Sequence, residues 1–91
     1  MTQEYKTVAE LFEDPKRWIK ENMSTDIQGN PTNVNEAVCW CLMGAMLKIY
    51  PKYTHAWDAV INELNGKLIT WNDAPERTHE EVIALCKKLG I

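Results

Sequence analysis

Residues Ala37 to Leu47 read A-V-C-W-C-L-M-G-A-M-L, a run without a charged residue between Glu36 and Lys48. It is far shorter than the roughly 20 residues needed to cross a bilayer, so it predicts a buried helix. Asn33 with Glu36 has the spacing of a helix cap and its reciprocal acid, and Pro51 is a stop, which extends the expected helix to Val34–Tyr50. Val34, Ala37, Val38, Cys41, Leu42, Ala45 and Ile49 would form one face, while Cys39, Trp40, Met43, Met46 and Leu47 fill the others. A helix apolar on every side has to be surrounded. The fold class expected is therefore all-α: one small domain over residues 1–91, a bundle of about four helices around a central helix at 34–50. Gly44 costs about 1 kcal/mol against alanine inside a helix, and the pair Gly44-Ala45 predicts close approach of a crossing helix.

Towards the amino terminus, Thr7 and Glu10 have capping-box spacing before Val8, Leu11 and Phe12. Asp14-Pro15 interrupts, so this helix kinks or restarts at Pro15, and Trp18, Ile19 and Met23 then continue a stripe at helical spacing. Ser24–Asn33 is rich in turn-forming residues and predicts a loop. Towards the carboxyl terminus, Thr54 is placed to cap a helix ending at Asn65-Gly66. Leu68–Trp71 reads as an extended or single-turn connector laid on the core. Thr78 with Glu81 opens a last helix whose stripe is Val82, Ile83, Cys86 and Leu89, closed by Gly90.

Ten basic against thirteen acidic residues give a net charge of −3, which argues against duplex nucleic acid and anionic membrane surfaces as partners. The opening M-T-Q-E-Y-K-T holds no apolar run, so neither a secretion signal nor a lipid anchor is expected and the address is cytoplasmic. Cys39, Cys41 and Cys86 are odd in number and lie in apolar patterns, which suits buried thiols rather than a disulfide framework.

The segments C-W-C-L-M-G-A and L-I-T-W-N-D-A-P-E-R-T-H-E-E-V-I-A-L together resemble a bacterial and phage family of small domains of unknown function. The shared pattern falls on Cys41, Leu42, Gly44 and Ala45, then on Trp71, Asn72 and Asp73, then on Arg77 and Thr78. This resemblance implies a shared fold and brings no activity with it. From the residues themselves, two readings of Trp71, Asn72, Asp73, Arg77 and Thr78 stay open. In one, Asp73 pairs with Arg77, Asn72 satisfies buried backbone groups and Trp71 plugs the core. In the other, the same groups bind a nucleotide or similar ligand, the ring stacking and the amide, carboxylate and guanidinium reading polar groups.

A cysteine hydrolase would need Cys39 or Cys41 beside His55 or His79, and both cysteines fall in mid-helix on this reading, without the activation of a helix start. Zinc-ligand spacing is absent, so no metal and no cofactor are expected. Trp18, Trp40, Trp57 and Trp71 suggest an aromatic core, with Trp18, Trp40, Tyr50 and Tyr53 the candidate partner face. The expected role is a small non-catalytic binding or inhibitory module, a phage protein that interferes with a bacterial defence system by binding a protein. The alternatives are a small-ligand sequestering protein and the cysteine hydrolase.

Overall fold

The computed structural model describes residues 5–91; the reading of residues 1–4 as free of a targeting segment falls outside them. The chain is predominantly α-helical. In order come α1 (Val8–Leu11), a 3-10 turn (Pro15–Arg17), β1 (Ser24–Thr25), β2 (Cys39–Trp40), α2 (Leu42–Ile49), α3 (His55–Leu64), α4 (Leu68–Asp73) and α5 (His79–Leu89). Val8, Leu11 and Phe12 meet Trp40, Leu42, Ala45 and Met46 in the core, with Val60, Leu68, Val82, Leu85, Cys86 and Ile91 closing it.

The central helix is half the predicted length. Asn33 does cap, its Oδ1 accepting the Asn35 and Glu36 amides, yet the turn it closes does not propagate. Residues 38–41 are extended instead because other segments take their backbone groups: the Val38 amide donates to Thr25 O, Cys41 N to Met23 O, and Trp40 O accepts from Ile19 N. β1 and β2 pair antiparallel, Ser24 opposite Trp40 and Thr25 opposite Cys39. Val38 and Trp40 suit a strand, and these long-range bonds outweigh a helical preference worth tenths of a kcal/mol per residue. The backbone that approaches Gly44 is accordingly that of Met23, not a crossing helix.

The stripe at Trp18, Ile19 and Met23 is not helical either. Asp14 caps the 3-10 turn through the Lys16 amide at 2.9 Å, and the chain then runs extended beside Trp40. Within the predicted loop, Asp26 Oδ1 accepts from the Gln28 and Asn30 amides, folding a turn behind β1. α3 ends with Asn65 and Gly66 both left-handed, at φ 53° and 75°, as the Asn-Gly pair foretells.

The expected connector at 68–71 is a six-residue helix, α4. Arg77 Nε bonds Trp71 O at 2.8 Å and Lys20 Nζ bonds Ala74 O at 2.7 Å, so cations satisfy carbonyls at its carboxyl end. α5 forms as read, with the Thr78–Glu81 capping box and Gly90 at φ 69°. The box also shifts a titration: backbone donation from Thr78, and the nearby Arg77 charge, hold the Glu81 carboxyl below its usual 4.5. A depressed carboxyl contributes stability above its unfolded value that is lost as pH falls through the folded one. The melting temperature of the wild type should therefore drop more steeply below about pH 4.5 than that of Glu81→Gln; parallel acid profiles by circular dichroism would contradict this.

Candidate functional site

Asn72 lies on α4 with no exposure to solvent, and all four of its hydrogen-bonding positions are used. Its Oδ1 accepts from Trp18 Nε1 at 2.6 Å and from the Leu42 amide at 3.0 Å. Its Nδ2 donates to Ile19 O at 3.0 Å and to Asp73 Oδ1 at 2.9 Å. Leu42 opens α2, so a side chain from α4 serves as a cap for another helix. The buried side chain thereby ties α4 to the extended 18–19 segment and to the start of α2.

Asp73 and Arg77 do not pair. Asp73 Oδ1 also accepts from the Glu21 amide at 2.9 Å, fixing Glu21 at φ 72°. Arg77 lays its guanidinium 4.0 Å above the Trp71 ring and bonds Glu81 at 3.0 Å. The reason is geometric: α4 ends at Asp73, which turns the carboxylate towards the 19–21 segment while Arg77 folds back over Trp71. Thr78 is committed to the capping box. Trp71 is half-buried and borders an open groove of about 540 Å³ shared with Glu63, Leu64, Ala84, Leu85 and Lys88.

Trp18, Trp40 and Tyr50 turn their polar atoms inward. Trp40, 4% exposed, donates to Val34 O, and Tyr50 donates its hydroxyl to Ile91 O at 2.9 Å. Tyr53 is 70% exposed and its hydroxyl meets Asp58. Met23 and Ile69, expected in a helical stripe and on the core, are instead exposed apolar residues, and no local sequence pattern marks them as such. Both border a cleft beside Cys41.

Cys41 is not in mid-helix. It is the capping residue of α2, and its Sγ accepts from the Gly44 amide at 3.4 Å. Burial nonetheless pushes the thiol up, outweighing that amide, and Asp73 adds to the rise. The cleft it borders contains no histidine: His79 contacts Phe12 O at 2.5 Å and stands beside Trp18, and His55 is exposed at the start of α3. Among the described residues no three potential metal ligands gather, and no helix is long and apolar enough to cross a membrane.

Cys86 is buried without exposure and its thiol is pushed up to about 12 from 9.0 by burial. A raised acid contributes stability below its unfolded value that is lost as pH rises towards the folded one, on the order of 1 kcal/mol by about pH 10. Urea melts at pH 8 and 10 should show this loss in the wild type and less of it in Cys86→Ala. In thiol titration of the folded protein, Cys39, which is half-buried, should react ahead of Cys41 and Cys86.

Residues 2–89 match a family of unknown function, DUF6197. The chain belongs to this family. No curated protein and no solved structure matches it. Within this DUF6197 member, the Trp71–Thr78 stretch is where three separate parts of the chain are joined.

Proposed function

We propose that this DUF6197 chain is a non-catalytic binding or inhibitory module that acts by covering a protein partner. One contrast supports the reading. The polar groups of Asn72, Asp73, Arg77 and Thr78 bond within the chain, whereas Met23, Val38, Leu47 and Ile69 stand 36–50% exposed and Ile27 88%. Exposed apolar side chains rimmed by polar groups are what a protein interface uses. In a phage, such a module would work in the host cytoplasm by occupying a component of a defence system. The test places a photo-crosslinking benzoylphenylalanine at position 69, with position 87 on α5 as control. A discrete adduct from bacterial lysate at 69 alone supports the reading, and adducts at neither position count against it.

The groove beside Trp71 favours a second reading, a small-ligand sequestering protein, because a half-buried ring on an open groove is a stacking surface. A thermal-shift screen against nucleotides decides it. Ligand at 100 times its dissociation constant adds about 2.7 kcal/mol of stability, and the shift should vanish in Arg77→Ala.

A further inference from the structure

The stretch Glu21-Asn22-Met23 and α4 enclose a cleft of about 100 Å³ lined by Glu21, Asn22, Met23, Cys41, Ile69 and Asp73. Its apolar rim is Met23, 44% exposed, and Ile69, 50% exposed. Its charged members are both carboxylates, and among the described residues neither Glu21 nor Asp73 forms an ion pair. Asp73 uses Oδ1 for the Glu21 amide and Asn72 Nδ2, which leaves Oδ2 for a further donor. Lys20, the adjacent cation, is engaged elsewhere: its Nζ bonds Ala74 O and Pro75 O.

We propose that this cleft receives a lysine or arginine side chain of the protein partner. The inference rests on the protein-binding reading above and names its surface. The space is that of an unbranched stem of a few methylenes, which would lie along Met23 and Ile69 while its cationic head reaches Asp73 and Glu21. A neutral apolar side chain would strip water from two carboxylates without replacing it, and an acidic one would be repelled. The net charge of −3 favours encounter with a basic surface. Glu21 is held in its left-handed conformation by Asp73, so the cleft is formed before a partner arrives.

The experiment is a nitrogen-15 amide titration with ethylguanidinium chloride and n-butylammonium chloride, against sodium chloride at equal ionic strength and n-butanol as the neutral chain. Saturable shifts are expected at residues 21–23, 69 and 73 with the two cations only. Asp73→Asn, which keeps the Oδ1 acceptor, and Glu21→Gln should each weaken binding, by up to about fivefold for an exposed ion pair. If Asp73→Asn does not fold, Glu21→Gln alone decides. Equal shifts with n-butanol, shifts spread over all surface carboxylates, no shift at the cleft, or unaltered binding in the variants would overturn the proposal. Adducts at position 69 combined with a cleft silent to both cations would reject the basic side chain while leaving protein binding intact. Absence of both results rejects the two together.

Discussion

Asn72→Ala is expected to lose about 4 kcal/mol or more, enough to lower the melting temperature by about 15 °C or more. The side chain is fully enclosed and serves the Leu42 amide, Trp18 Nε1 and Ile19 O at once. Truncation removes their common partner, and each buried group left without one costs about 1–3 kcal/mol. A domain of this size has about 5–14 kcal/mol in all, so the variant should sit near the edge of folding at room temperature. Thermal and urea melts followed by far-ultraviolet circular dichroism measure it, and tryptophan fluorescence should report the release of Trp18. Asp73→Asn is the informative companion, because it keeps the oxygen that accepts from Glu21 and Asn72 and should melt close to the wild type. A loss under about 1 kcal/mol in Asn72→Ala would mean that water replaces the amide and that the knot does not hold the fold.

Asn72 also marks where the sequence stops being readable. The amide could be assigned to buried backbone groups from its setting, but its partners lie 30 and 53–54 residues away, and no local pattern names them. α5 was legible throughout because its signals are local: Thr78 with Glu81 at one end, Gly90 at the other, and an apolar stripe between. α4 was missed for the opposite reason, since Lys20 reaches its carboxyl end from 54 residues upstream. The central run was overextended because apolarity on all sides describes a buried strand as well as a buried helix, and only the pairing with Ser24–Thr25 decides between them. At the site, the Thr78 cap was visible, whereas the cleft was not. Met23 and Ile69 look like core residues until the bends at 20–23, with Glu21 left-handed, and the α4 helix turn them outward.

Gly44→Ala is the second large expectation, and its sign is opposite to the usual one. An alanine normally improves a helix interior by about 1 kcal/mol over glycine. Here a Cβ at position 44 would overlap the Met23 carbonyl oxygen and come within 3.2 Å of Met23 Cγ. The obstacle is backbone, and that carbonyl is already fixed by accepting the Cys41 amide at 3.0 Å. Relief requires moving the chain just ahead of β1, which would disturb both the Ser24–Trp40 register and the cleft at Glu21–Met23. Forcing extra volume into such a contact costs about 1–3 kcal/mol, occasionally more, and the backbone obstacle places Gly44→Ala at about 3 kcal/mol or above. Gly66→Ala is the control: nothing lies within 4 Å of a Cβ there, so only its left-handed φ of 75° opposes the change, at about 1–2 kcal/mol. Melting Gly44→Ala alone and combined with Met23→Ala separates the causes. Rescue by Met23→Ala would assign the clash to the flexible side chain; persistence of the loss would assign it to the carbonyl, making Gly44 the residue that lets the bend at Met23 lie directly on α2.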